Sequence, residues 1–430
     1  MLLLKKFLDN LRNNILMKIS ALSFILLFCL SCSMDETIEV STQGTVSIGT
    51  SDETTLASSS NHTAKQFSSQ WSVTQKILRG GKQEGVELIT LDNGKLKIRI
   101  IPTRGMGILD VKMDSIRLGW NSPVKEVVHP SHIDLESRGG LGWLEGFNEW
   151  MVRCGLEFAG HPGTDQFINN TGDPATLNLT LHGKIQNIPA SDYEVIIDSE
   201  PPHRIRVRGT VHESFFYGPK LKLVTEVSTV PGSDTFRISD LLTNEGSSKQ
   251  EFQLIYHGNY GSSILEEGAR VYAPAGTVTP MNENAARNLD SWQTYLGPTK
   301  GFIEEVYLLE PLGDANSSTM AVLVNQDADL ATSVRWDVTE LPYLTIWKNT
   351  AAEEDGYVTG IEPATGYPFN RMIERKYGRV PELDAGESRS FTLDFGIHIG
   401  NDQVGELINE ATARQIPSPL QIIKEPPVTK

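Results

Sequence analysis

The chain has 430 residues, with 54 acidic against 38 basic side chains and a formal net charge of −16. No basic stretch stands out to meet phosphates, which argues against a nucleic-acid partner and for a small neutral one. Two of its three cysteines lie in an N-terminal apolar segment, so Cys154 is alone in the remainder, no intramolecular disulfide framework exists, and the fold must rest on a hydrophobic core.

Residues 1–31 combine Lys5, Lys6, Arg12 and Lys18 with the apolar run ISALSFILLFCLS, which is short for a membrane span and reads as a signal-peptide core. Met17 opens a stretch that is already a complete signal. Cys32 follows the small Ser31 and precedes polar SMDE, an arrangement that resembles a bacterial lipoprotein cleavage box, with Cys29 where leucine usually stands. Cys29 and Cys32 also spell C-x-x-C, a spacing without redox or zinc meaning inside an exported signal. The expectation is a lipid on Cys32, with plain secretion as the alternative. The protein would then sit at a bacterial cell envelope, on the periplasmic or outer-membrane face, held to the membrane by its N-terminus. Residues 32–70, rich in Ser, Thr, Gly and acidic side chains, read as a flexible polar tether. One globular domain is expected over 71–417, with a C-terminal tail at 418–430.

Period-two alternation runs through that domain. KLKIRII (95–101), RIRVRGTV (204–211) and FTLDFGIHI (391–399) alternate faces, the last with Phe391, Leu393, Phe395, Ile397 and Ile399 on one side. KLVTEVSTV and FRISDLL flank PGSD and read as a hairpin. Helical periodicity is short and rare, GELINEATARQI being the best case. Many strands joined by turns predict an all-β fold, a large antiparallel sandwich.

The chain has no glycine-rich phosphate loop, no G-x-S-x-G elbow and no H-E-x-x-H pair. His129 and His132 in HPSH have a spacing that could bind metal, but Pro and Ser between them favour a hydrogen-bonded loop. His161 in AGHPGT reads as a turn residue. His62 falls in the tether, and His203, His212 and His398 lie on strand-like segments without an acidic motif beside them. In LTLHGKIQNIPA, Gly183 and Pro189 break a strand just after His182, leaving that histidine at a strand end facing a loop. It could fill a hydrogen-bonding niche or transfer protons. LIYHGNYG repeats the pattern at His257, and VTGIEPATGYPFNR places Glu362 after an apolar strand, rimmed by Tyr367 and Asn370. Together His182, His257 and Glu362 form a general acid and base set that needs no metal and no cofactor. Arg104 in PTRGMG, with Asn148, Glu149 and Arg153 in GFNEWMVR, are candidate substrate-binding residues alongside Asn370. Arg153 could instead pair with Glu149, four residues before it. Trp143, Trp150 and Trp347 could stack on a sugar ring or fill the core.

The order of His-Gly at a strand end, TNEG followed by FQLIYHGNYG, and then GIEP resembles the aldose 1-epimerase, or galactose mutarotase-like, superfamily. IPTRGMGI, LGWNSP, GGLGWLEGFNEWMVRCGLE, LHGKIQNIPA and GIEPATGYPFNR are similar to an uncharacterised branch of it, a domain of unknown function, over roughly residues 75–400. The resemblance implies a β-supersandwich of large antiparallel sheets with a sugar, a monosaccharide or small oligosaccharide, in an open groove. It implies Glu362 as the base at O1, His257 as the acid at O5, and His182 hydrogen-bonded near the ring oxygen. No aspartate here matches the family's sugar-binding aspartate. A sugar-binding accessory lipoprotein without chemistry is the alternative, and a related carbohydrate lyase or hydrolase a further one; no second carboxylate in the sequence pairs with Glu362.

The lipid assignment has a direct test. Cys32→Ser is expected to abolish incorporation of a fatty-acid analogue and leave unprocessed or soluble protein, whereas equal labelling of the variant overturns the assignment.

Overall fold

Alternation of apolar and polar side chains builds one face of the structure. In the strand Ile205–Ser214, Ile205, Val207 and Val211 are wholly buried while Arg206, Arg208 and His212 turn outward. It pairs antiparallel with Lys220–Thr229, which returns through the PGSD turn as Thr235–Asn244, the hairpin read from the sequence. Ser388–Ile399 lies alongside. Its Phe391, Leu393, Phe395 and Ile397 point into the core, while Ile399, at the strand's end, is 51% exposed. In the computed structural model, which describes residues 38–40, 53–61 and 69–427, these strands belong to a nine-stranded sheet, and a second sheet has 13 strands. One continuous apolar core, drawing Val207, Leu223, Ile238 and Leu393 from the first sheet and Ile98, Ile108, Leu254 and Ile361 from the second, joins them. The all-β supersandwich expected from the sequence is the architecture observed. The helix expected near the C-terminus is present as Asn401–Gln415 and packs Val404, Leu407 and Ala411 against the nine-stranded sheet.

The middle of the larger sheet departs from simple alternation, and this positions the site. Its strands β1 (Met151–Leu156), β2 (Gln253–Tyr260), β3 (Glu305–Pro311), β4 (Tyr343–Asn349) and β5 (Val358–Ala364) lie side by side in the order β1-β2-β5-β4-β3. Every residue of β1, β2 and β5 is buried. One face of these strands meets the other sheet, and the opposite face is roofed by loops that bring Trp143, Phe147 and Leu181 against Val152, Cys154, Ile255, Val358 and Ala364. A strand covered on both sides carries polar side chains only where they find partners or do work.

The expected boundaries move. Thr54–Ser58, assigned to the tether, pairs with Ser72–Ile77, and Ala57 enters the core beside Trp71 and Val73. Ile38–Val40 pairs with Asp192–Ile197. At the other end Gln421–Ile422, assigned to a tail, runs parallel to Ala275–Pro280. Backbone pairing at a sheet edge needs no apolar composition, which is why polar segments were misread as unpaired. The signal segment and Cys32 lie outside the described residues.

The two sheets are also joined by charge. Arg153 of β1 reaches across the core to Asp240 of the smaller sheet, with Nη2 2.9 Å from Oδ1 and Nε in close contact with Oδ2. Thr225 Oγ1 accepts from Nη2 at 2.6 Å, and the Tyr256 hydroxyl donates to Asp240 at 2.8 Å. Burial alone would lower the guanidinium's pKa, but the Asp240 charge holds it above its ordinary value. A second cross-sheet contact is made by Glu213, whose Oε2 accepts from the Leu156 N–H at 2.7 Å. Burial, together with the nearby Glu157, outweighs that bond and the Lys184 charge and pushes the Glu213 carboxyl up to about 7.

Asp240→Asn removes the charge facing a fully buried Arg153 and is expected to cost roughly 3–5 kcal/mol of stability in urea unfolding; Asp240→Asn with Arg153→Met should recover much of it. Glu213 acts in the opposite sense. Its folded pKa exceeds its unfolded value, so its penalty is absent near pH 4, grows as pH rises toward about 7, and is constant above. Glu213→Gln, which keeps the acceptor for Leu156, should therefore gain on the order of 3 kcal/mol over the parent at pH 8 and nothing near pH 4.

Candidate active site

Strand register assembles the site from residues distant in sequence. Across β2 and β5 the pairing of Gly258 with Ile361 sets His257 opposite Glu362. Val152 flanks His257 on the other side, and Thr345 flanks Glu362. The result is one row, Val152–His257–Glu362–Thr345, on the roofed face of four neighbouring strands. His257 Nε2 lies 3.3 Å from Glu362 Oε1. Gly360, two residues before Glu362 and on the same face, leaves the room this carboxylate occupies: a Cβ there would sit 2.3 Å from Oε1. The glycine of GIEP is thus required by the side chain two positions on.

His182 approaches from above. It has φ 59°, in the left-handed region, and is held by its backbone: its N–H donates to Gly160 O at 2.8 Å and its carbonyl accepts from Gly155 N–H at 3.0 Å. Gly183 rests so closely on this loop that a Cβ would meet the Gly155 carbonyl at 2.4 Å, which accounts for the His-Gly pair. The His182 ring stands edge-on to Trp143 at 4.7 Å and to His257 at 5.3 Å. Phe147 and Trp347 enclose His257 at 5.5 and 5.6 Å.

His182, His257 and Glu362 all line one cavity of about 320 Å³, with His161, Glu304 and Thr345 as its other polar side chains and Trp143, Phe147 and Trp347 among its walls. Glu362 Oε1, Thr345 Oγ1, Trp143 Nε1 and the Nδ1 atoms of His182 and His257 are buried without a hydrogen-bonding partner in the protein. Uncompensated polar atoms of this kind are costly and mark a place for polar groups of a ligand. Burial raises the Glu362 carboxyl well above its ordinary value, with the Glu304 charge adding to the rise. Burial lowers His257 to about 4, and lowers His182 well below 6.5, reinforced by the charges of His257 and His161. Between these limits the Glu362–His257 pair holds one proton and no net charge. Whether the proton sits on the carboxyl or the imidazole, the pair offers one acid and one base.

The five expected sugar contacts are placed elsewhere. Arg104 is wholly buried, binding Glu149 Oε1 at 2.6 Å, Asn187 Oδ1 at 2.9 Å and the carbonyls of Val128 and Gly146. Glu149 takes its remaining bonds from Gln186 and the Asn148 N–H, and the Asn148 amide donates to Val124 and Glu126 carbonyls. Arg153 pairs with Asp240, neither with a ligand nor with Glu149. Asn370 caps the short helix Arg371–Lys376, its Oδ1 accepting from the Met372 N–H. The hydrogen bonds these groups make are to the protein itself, and none of the five lines the cavity. Trp143 and Trp347 line it, whereas Trp150 packs between the sheets against Phe236 and Phe395. Tyr367 packs at a tilt against Tyr343 and does not line the cavity. His129 bonds Ser131 within its loop, as expected of a hydrogen-bonded histidine.

The lining also holds residues to which the sequence assigns no site role, among them His161, Glu304, Thr345 and Phe147. His161, taken as a turn residue, is exposed on the rim, as is Glu304, whose Oε2 accepts from Trp347 Nε1 at 2.8 Å. Thr345 and Trp347 alternate in YLTIWKN, so their shared face was legible, but nothing distinguishes Glu304 or Phe147 locally.

The model of DUF4432, a domain of unknown function, matches residues 83–397. The crystal structure of a "putative aldose 1-epimerase" from Klebsiella pneumoniae subsp. pneumoniae MGH 78578 is 42% identical and superposes with a TM-score of 0.81, over 88% of this chain and 96% of its own. A galactose mutarotase-like protein from Clostridium acetobutylicum shares the fold at 15% identity and a TM-score of 0.50, over 76% of this chain and 98% of its own. No curated protein matches. With a family match across most of its domain and a close structural relative of the same architecture, the chain belongs to the DUF4432 family, on a galactose mutarotase-like β-supersandwich.

Proposed function

We propose that this protein is an aldose 1-epimerase-like enzyme that interconverts sugar anomers by general acid and base catalysis. The observation that carries the reading is the cross-strand pair His257–Glu362, 3.3 Å apart at the base of a cavity with His182 above it. Anomerisation requires loss of the O1 proton and gain of a proton at the ring oxygen O5. As the C1–O5 bond breaks, C1 becomes an aldehyde. Rotation about C1–C2 then presents the other face, and reclosure returns both protons. The net proton change is zero, which suits a pair that holds one proton between its two titration limits. Glu362 is assigned to O1 and His257 to O5, acting in the tautomer in which the pair's proton has moved from the carboxyl to the imidazole, with His182 hydrogen-bonding near O5 as charge develops. Trp143, Phe147 and Trp347 limit water around the reacting atoms. The protein would act on sugars outside the cytoplasm, tethered to the cell envelope through Cys32.

Glu362→Gln keeps the side chain's shape but cannot accept the proton. Turnover measured by NMR anomer exchange should fall roughly 10²–10⁴-fold with sugar affinity little changed, and His257→Asn should behave alike. Because His257 is lowered to about 4 and Glu362 is raised, kcat/KM should fall in acid as the imidazole takes a second proton, and fall again on the alkaline side as the pair loses its one proton. Unchanged rates in Glu362→Gln overturn the catalytic assignment. Sugar binding without turnover by the parent protein across a broad panel would instead support the accessory-lipoprotein reading.

A further inference from the structure

Much of the remaining cavity lining is apolar. Leu141, Leu144, Phe147, Leu181, Met281 and Val306 contribute to it, and among the described residues no lysine or arginine lines any part of the cavity. Several arginines of the site strands and their loops are committed to carboxylates. Arg104 binds Glu149, Arg153 binds Asp240, and Arg371 and Arg375 both bind Asp165. Two acids and three histidines line the cavity, and since the Glu362–His257 pair carries no net charge, Glu304 is the group that meets a ligand as an anion. A phosphate or carboxylate on the ligand would therefore enter without a fixed cation and face like charge.

The polar side chains are too few for a fully hydroxylated sugar. Once His182, His257 and Glu362 are engaged around C1 and O5, Thr345, His161 and Glu304 remain, and one Glu304 oxygen is already held by Trp347. A hydroxyl turned toward the buried Leu181, Met281 or Val306 would lose its hydrogen bonds to water and find no side-chain partner there. A methyl or methylene at that place would be buried at a gain.

We infer that the sugar taken by this site is an uncharged aldose with one apolar edge, of the 6-deoxyhexose class, and that uronates and sugar phosphates are rejected. This rests on the mutarotase reading for the orientation of C1 but makes a separate claim about recognition. The apolar wall discriminates for the methyl group, and the missing cation discriminates against anions.

The test uses the full-length chain and matched pairs: D-galactose with D-fucose, D-glucose with 6-deoxy-D-glucose, L-mannose with L-rhamnose, and D-galacturonate with D-galactose 6-phosphate as the charged members. Binding by calorimetry and anomer exchange by NMR are measured separately. At least one 6-deoxy sugar should bind about tenfold or more tightly than its hydroxylated parent. The charged sugars should bind more weakly than either. Leu144→Lys, at a position 45% exposed on the rim, should raise affinity for galacturonate several-fold and narrow that gap. A deoxy preference in binding without anomer exchange upholds this inference and overturns the enzymatic reading. Exchange of parent hexoses or charged sugars as fast and as tightly bound as the deoxy sugars upholds the enzyme and overturns the inference. Absence of binding to every sugar overturns both.

Discussion

The register between β2 and β5 is the constraint on which the site depends. Side chains alternate along a strand, so a slip of one residue would send either His257 or Glu362 into the intersheet core and replace it with Tyr256 or Ile361. That core resists the slip. Leu254, Tyr256 and Tyr260 on β2, and Ile361 on β5, are buried against the other sheet. Apolar packing on one face thus sets the placement of polar groups on the other. The same alternation on β1 sends Arg153 to Asp240 and leaves Val152 beside His257.

The buried charges divide into two kinds. Arg104–Glu149 and Arg153–Asp240 are closed networks, with carboxylate and guanidinium facing each other and further bonds to Gln186, Asn187, Thr225 and Tyr256. Such pairs tie loops and sheets into one arrangement, and losing one member leaves the other uncompensated in the core. His182, His257, Glu362 and Thr345 are also buried, yet each keeps an atom without a protein partner, and these four line one space. Partnerless polar atoms occur in the scaffold too, on Asn148, Gln186 and Asn187, so what sets the candidate site apart is that four such side chains converge on one cavity.

Burial also sets the proton balance. It shifts Glu362 and His257 in opposite directions, each toward its neutral form. A carboxyl and an imidazole 3.3 Å apart with one proton between them form a unit whose charge is zero in either tautomer. Such a unit tolerates an apolar enclosure that a lone carboxylate would not, so Trp143, Phe147 and Trp347 can crowd the site without expelling its charge.

Much of this was legible in the chain itself. Period-two alternation in RIRVRGTV and FTLDFGIHI, the PGSD turn and the amphipathic C-terminal segment determined an all-β sandwich and one flanking helix, because faces and turns are local properties of backbone geometry. Resemblance in the His-Gly, LIYHGNYG and GIEP stretches singled out His182, His257 and Glu362, which the fold then brought to one cavity. The destination of Arg104, Asn148, Glu149, Arg153 and Asn370 was decided only by tertiary structure, as was the arrival of His161, Glu304 and Thr345 at the cavity. A polar residue becomes a strut or a ligand contact according to what is packed against it, and for Arg153 that partner stands 87 residues away on the opposite sheet. Composition misled at the edges for a related reason, since the strand Thr54–Ser58 is held largely by backbone pairing, which leaves little trace in side-chain pattern.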